Sequence, residues 1–584
     1  MKHKTVIILV AILLVLIGLS AGISYALAYG QGEVNVPQTL PRDQTLYITG
    51  LQAGNPTSFN PLNSNAAWPA SGNHLLTYET LFAYNQITGA LDPLLAKSYE
   101  FSTDSITLTI TLQDDTMWQD GQPLTTADVI YTYELAQSQP VNYSGLFDTI
   151  TEIKSTGDRT LQITLNDTNP NPGLVKNFLA TIKILPMHIW QPREAQCSLP
   201  ECEETSPVGS GPYTLNNFSP EKITLFRNDN YWGKPIFGLP KPKYVVHSIF
   251  LSNEASKLAL LNGEVDLSQS YLPELWGNEN LPVGTWYEQP PYQSPGTIPI
   301  LIINVHKPGL DNPLVRRALA YTINYRAISE AIWFDTTPVS SSLILPVGPE
   351  SALFNPAQIA QYGWIYNPSE AEDILVNQLG AVKGLDGVYV LPGNIRLGPW
   401  SVGTPNGWSD WQTAVNSVVQ NGIAAGFDLQ ADFPEFGEIY PELQMGDFDM
   451  ILWWISGSEA ASPWTRFRDM LDDRGVPPIG ESASRNYGRF SNPAVASLLD
   501  QAGEAANPVA VKDIYDQLDK IFMDNAPGIP LMYRPYDFYA FNTSHWLGFP
   551  TAADPSAPPM FSGAGVDILY KITPGLFYLP VVTR

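Results

Sequence analysis

From Ser105 to Gln113 the apolar residues Ile106, Leu108, Ile110 and Leu112 alternate with polar ones. That period of two is the mark of a strand with one buried face, and Leu161, Ile163 and Leu165 repeat it. Between the two lies a different grammar. Asp120-Gly121 suits a tight turn, and Thr125 with Asp128 three residues on suits a capping box that opens a helix. A second apolar run, Phe448-Asp449-Met450-Ile451-Leu452-Trp453-Trp454-Ile455, suits a buried strand. It then breaks into the Ser/Gly/Pro loop Ser456 to Pro463, which delivers Trp464 and one carboxylate, Glu459. The strand and loop together suit the floor of a ligand site; the competing reading is that Trp453 and Trp454 alternate across the strand, so that at least one is plain core.

Four further helices are expected behind Asn312-Pro313, Asn367-Pro368, Asn492-Pro493 and Asn507-Pro508. Asn supplies a side-chain acceptor for the first helical N–H groups, and proline at the first position loses nothing by lacking its own. Apolar spacing such as Val495, Leu498, Leu499 and Ala502 follows one of these caps. Strands such as Ile300-Leu301-Ile302-Ile303 are interspersed with the helices. The expected class is mixed α/β, without internal repeats.

A chain of 584 residues, 44% of them hydrophobic, exceeds one core and divides into about two to four domains. No low-complexity tether separates them, so crossing segments are expected to join them. With 31 basic against 57 acidic residues the net charge is −26, which disfavours nucleic acid and anionic lipid as partners. Lys2 and Lys4 precede an uncharged run from Thr5 to Ala28 that ends in Ala26-Leu27-Ala28. This fits a cleaved secretory signal or, at roughly the 20 residues a spanning helix needs, a retained anchor. Either places Gln31 onward outside the cell. In that setting the only cysteines, Cys197 and Cys202, are expected to form a small disulfide. The six histidines are scattered, and neither a metal site nor a cofactor is expected.

Several segments, in order, resemble the extracellular solute-binding proteins of ABC importers, family 5. They are Phe59-Asn60-Pro61-Leu62, Pro207-Val208-Gly209-Ser210-Gly211-Pro212-Tyr213, Asn230-Tyr231-Trp232-Gly233, Gly263-Glu264-Val265-Asp266, Val315-Arg316-Arg317-Ala318-Leu319 and Asn525-Ala526-Pro527-Gly528-Ile529-Pro530. The resemblance implies a two-lobed periplasmic-binding-protein fold of type II, with a subdomain inserted in lobe I. Residues 1–30 would be the signal or anchor; 31–75, 205–285 and 546–584 lobe I; 76–204 the insertion; and 286–545 lobe II. It also implies a solute captured between the lobes and delivered to a membrane permease by a monomeric protein at the outer face of the membrane.

In the peptide binders of this family the loop matching Ile455 to Pro463 carries an aspartate for the peptide amine. Here Ser458 and Glu459 stand at that place. A buried ammonium without a carboxylate is costly, so Glu459 decides whether peptides remain open. Tryptophans in polar company favour a sugar, whose flat C–H faces stack on indoles while its edges take hydrogen bonds. Trp68 with Asn65, Trp453, Trp454, Trp464 and Trp408 are the expected contacts, joined by Ser458, Glu459 and Arg466. Segments around Trp408 and Trp464 resemble the cello- and manno-oligosaccharide branch, so a β-linked oligosaccharide is favoured, with an oligopeptide as the alternative. Clustered carboxylates at Asp432, Glu435 and Glu438 would suit a glycoside hydrolase, but no nucleophile elbow, triad or phosphate loop accompanies them, and a binding protein rather than an enzyme is expected.

Overall fold

In a computed structural model the alternation at 106–112 becomes the strand Thr107–Leu112, whose Leu108, Ile110 and Leu112 are buried while the intervening threonines are half-buried. The described residues are 40–51, 56–62, 75–168, 170–250, 252–272, 275, 281–333, 339–505, 508–560 and 562–575. Residues from Arg42 onward form one compact unit, and the segment up to Pro41 is a separate one. The expected N-terminal signal or anchor lies outside the described residues. Among the described residues no helix is long and apolar enough to cross a membrane.

Three sheets organise the unit. The first has seven strands in the order Val283–Thr285, Ala540–Asn542, Leu267–Ser268, Thr45–Leu51, Tyr244–Ile249, Lys222–Arg227, Tyr213–Ser219. Thr45–Leu51 runs parallel to both Tyr244–Ile249 and Leu267–Ser268. Its strands come from the segments expected for lobe I, with one exception. Ala540–Asn542, expected in lobe II, is hydrogen-bonded between two strands of this sheet, so the chain returns to lobe I before residue 540.

The second sheet, in lobe II, has the order Leu429–Asp432, Trp400–Gly403, Met450–Trp453, Ile300–Ile303, Gly528–Pro530. Trp400–Gly403 is parallel to both of its neighbours. Ile300, Leu301, Ile302 and Ile303 are all buried, as a central strand covered on both faces requires. The third sheet is the antiparallel set Ala96–Phe101, Thr107–Leu112, Thr160–Leu165, Ile150–Gly157 of the inserted region. Behind it packs the helix Thr126–Ser138, opened by the Thr125/Asp128 capping box. Cys197 and Cys202 are joined by a disulfide in this region.

The Asn-Pro pairs act as caps, with differences. Asn312 accepts from the Leu314 N–H at 2.9 Å and Asn367 from the Glu370 N–H at 3.3 Å. Asn492 accepts from Ala494 at 3.0 Å, but the regular helix begins only at Val495. Asn507 lies outside the described residues, and Pro508 starts the helix Pro508–Asn525. The same pair opens two more helices, at Asn171-Pro172 and Asn355-Pro356.

Among the described residues two segments cross between the lobes, from Thr285 to Ile300 and from Pro530 to Ala540. They pair with one another as an antiparallel ribbon. The Thr297 N–H donates to the Arg534 carbonyl at 2.8 Å and the Arg534 N–H returns to Thr297 at 3.1 Å. Gln293 then clasps the Tyr539 backbone, its amide donating at 3.0 Å and accepting at 3.1 Å.

Candidate ligand cleft between the lobes

Both sheets aim the carboxyl ends of parallel strands at the space between the lobes, where open α/β sheets hold their ligands. Gln269 and Ser270 follow the strand Leu267–Ser268; Thr404 follows Trp400–Gly403; Trp454 follows Met450–Trp453. Here lies a cavity of about 220 Å³, lined by Asn253, Gln269, Ser270 and Tyr271 on one side. Trp408, Asp410, Trp411, Trp454 and Arg534 line the other. The Asn253 amide reaches across to the Ser409 hydroxyl at 3.2 Å.

The indoles are held by their own packing. Trp453, the last residue of its strand, is 1% exposed, and Trp454, one residue past the strand's end, is 42% exposed: Trp453 is core and Trp454 faces the cleft. Trp453 is the backing plate, 4.4 Å from Trp454, 5.8 Å from Trp408 and 5.7 Å from Tyr440, all stacked. Trp411 stands edge-on to Trp408 at 5.2 Å. Arg534 pairs with Asp410 at 3.1 Å and lies 6.0 Å from the Trp411 ring centre.

The loop after Trp454 lines two further cavities. One, about 260 Å³, is bounded by Tyr84, Gln86, Asn177, Lys183, Ser458, Glu459 and Tyr536 among others. The other, about 1130 Å³, lies between the inserted region and lobe II and includes Ser456, Glu459, Trp464, Arg468, Asp469, Asp472, Arg474 and Arg485. Glu459 borders both. Its carboxylate accepts from the Asn177 amide at 3.2 Å, and burial pushes its pKa up. Burial lowers Lys183 to about 8. Ser458 is buried beside Tyr84, with its N–H on the Gly296 carbonyl at 2.8 Å.

Three expected contacts need correction. Trp453 is sealed beneath Trp454 and Trp408 and has no face left for a ligand. Arg466 is wholly buried: it pairs with Glu350, donates to the Leu343 carbonyl at 2.8 Å and to the Gly457 carbonyl at 3.2 Å. It therefore braces the loop from beneath. Trp464 borders the large cavity, but its indole N–H donates to the Leu499 carbonyl at 2.8 Å and the Arg468 guanidinium covers its ring at 5.4 Å. It is not an open platform. Trp68 and Asn65 lie outside the described residues. Trp400, buried at the start of its strand, is core. Trp411, weighed in the sequence with Trp400 and Trp408 as either helix-start packing or a ligand contact, lines the cavity. Gln269, Ser270 and Arg534 were missed as cleft residues, and only contacts between distant segments bring them there.

Two lobes, a paired crossing ribbon and a lined cleft define a two-lobed solute-binding protein. Residues 90–476 match Bacterial extracellular solute-binding proteins, family 5 Middle, and the chain belongs to that family. It is the solute-binding component of an ABC importer, outside the membrane. A probable peptide-binding protein, YejA, of Agrobacterium fabrum is 24% identical over 579 residues, covering 88% of this chain and 89% of its own. An oligopeptide ABC transporter periplasmic binding protein of Thermotoga maritima, solved with mannohexaose bound, is 28% identical. It superposes with a TM-score of 0.84 over 92% of this chain and 100% of that one. The oligopeptide-binding protein AppA of Bacillus subtilis, in complex with a nonapeptide, shares the fold with a TM-score of 0.71 at 17% identity, over 91% of this chain and 99% of its own.

Proposed function

We propose that the solute is an oligosaccharide, favoured as a β-linked gluco- or manno-oligosaccharide, held at the indole-lined end of the cleft and passed unchanged to a membrane permease. The observation that carries this reading is the convergence of Trp408, Trp411 and Trp454 on one inter-lobe cavity whose other wall is Asn253, Gln269 and Ser270. Indole planes match the C–H faces of pyranose rings, and neutral amides and hydroxyls match their edges. The likeness to a structure holding mannohexaose supports the reading. Binding favours the closed arrangement of the lobes, the form the permease would engage, and the protein acts as a monomer.

A thermal-shift screen of mannohexaose, cellohexaose and di- to pentapeptides tests it, since a ligand of the folded form raises the melting temperature. A rise with a hexasaccharide is the expected result. A rise with peptides alone overturns the sugar assignment, and release of shorter saccharides would make the protein a hydrolase.

One observation favours a peptide as second reading: Glu459 borders two cavities and stands where the family's peptide binders carry an aspartate. The substitution Glu459→Gln separates the readings. It leaves oligosaccharide affinity unchanged in the first and removes peptide binding in the second.

A further inference from the structure

Within the cleft, Gln269 is 8% exposed, and neither its amide nitrogen nor its carbonyl oxygen has a hydrogen-bond partner. Its neighbour Ser270, 6% exposed, has a hydroxyl in the same condition. Both border the cavity faced by Trp408, Trp411 and Trp454. Their backbone N–H groups are engaged: the Gln269 N–H donates to the Thr49 carbonyl at 2.9 Å and the Ser270 N–H to the Ser268 hydroxyl at 3.2 Å. The side chains are thus fixed at the end of a parallel strand by main-chain bonds that do not use their polar atoms. A buried polar group left unpaired pays its desolvation cost without return, and native folds pair nearly all of them. Such a cost, incurred at both ends of one amide at the mouth of a ligand cleft, is the pattern of a recognition group.

We propose that Gln269 is the specificity-determining residue of lobe I, its carboxamide reading a vicinal pair of hydroxyls on a pyranose ring held against Trp454 and Trp408. This rests on the oligosaccharide reading above. The carboxamide presents a donor and an acceptor side by side. Each hydroxyl of a vicinal diol can donate and accept, so the pair satisfies both atoms of the amide at once. Ser270 offers a third polar atom beside them. The cavity of about 220 Å³ suits one ring at this place, sandwiched between the indoles of lobe II and the amide of lobe I. Discrimination follows from the same chemistry, since a ring lacking the diol leaves the amide unpaired in a closed site.

The test uses the full chain, as wild type, Gln269→Leu and Trp454→Ala, titrated calorimetrically with mannohexaose and cellohexaose, with melting temperatures of the ligand-free proteins. Gln269→Leu is expected to weaken the hexasaccharide that the wild type binds by roughly tenfold or more. Its ligand-free melting temperature is expected to stay level or rise, because the unpaired amide is gone. Trp454→Ala weakens the same ligand through lost stacking. Wild type and Gln269→Leu binding equally overturns the role of Gln269 and leaves the sugar reading intact. So does a marked fall in the ligand-free melting temperature of Gln269→Leu, which would reveal an internal partner for the amide. A wild type that binds neither hexasaccharide overturns both.

Discussion

At one end of the cleft three indoles surround about 220 Å³; at the other, arginines and aspartates surround about 1130 Å³. The larger, charged end looks at first the better place for a ligand. Its charges, however, are answered inside the protein. Arg468 pairs with Asp469 at 2.7 Å, Arg474 with Asp472 at 2.9 Å and with Asp500 at 2.7 Å, and Arg485 donates to the Asp472 carbonyl at 3.0 Å. The indole end leaves an exposed ring at Trp454 and an unpaired amide at Gln269. The charged end also keeps an unpaired atom, Asn177 Oδ1, but the indole end joins an open aromatic face to an amide unpaired at both its atoms, and the proposed sugar site rests on that combination.

The most severe way to break this contrast is to remove what holds the loop joining the two ends. Arg466→Ala leaves the buried Glu350 carboxylate without its cation and removes one of the two side-chain donors to the Gly457 carbonyl, and a loss of about 3–5 kcal/mol in stability is expected, read by chemical denaturation.

Acidity comes next. Burial pushes Glu79 and Asp519 up to about 7, and Asp266 and Asp567 to about 6. Raised carboxyls stabilise most below their ordinary values, and that contribution is lost as pH rises through 6 to 7. His247, pushed down to about 3 by burial, opposes this as pH falls below its ordinary 6.5. Four carboxyls outweigh one imidazole, so the melting temperature should rise from about pH 7.5 to about pH 5. The Glu79 share is on the order of 3 kcal/mol, and Glu79→Gln should flatten the slope. Affinity for a neutral sugar should stay level over the same range.

Trp454→Ala should weaken oligosaccharide binding by about 1–3 kcal/mol, as loss of aromatic stacking does elsewhere. Calorimetry checks it, and an unchanged affinity would remove the indole end from the site. The smallest effect is expected at the charged end. Arg474→Ala, a half-exposed ion-pair partner, should change affinity for a neutral sugar by less than about 1 kcal/mol, and a larger loss would bring that end into the binding surface.

The local features of the fold were legible in the sequence. Alternation placed the strands at 107–112 and 160–165, and the Asn-Pro pairs placed helix starts, because both depend on residues close together in the chain. The short motifs in order pointed to the family to which the chain belongs. Trp453 and Trp454 were both expected at the ligand, and the strand ends between them, so that only Trp454 reaches the cleft. Arg466 was misread because a buried guanidinium needs a distant carboxylate, and Glu350 lies 116 residues away. Gln269 stands in an unremarkable Leu-Ser-Gln-Ser run. Its significance comes from the pairing of Leu267–Ser268 with Thr45–Leu51, a long-range register that no local pattern announces.

The crossing ribbon has one further implication. Two segments bonded to each other resist torsion better than a single tether does, so this joint favours bending over swivelling. Arg534 belongs both to that joint and to the wall of the indole cavity. A guest pressing on this wall touches the pivot itself, and the message that the trap is full needs no relay through the rest of the molecule.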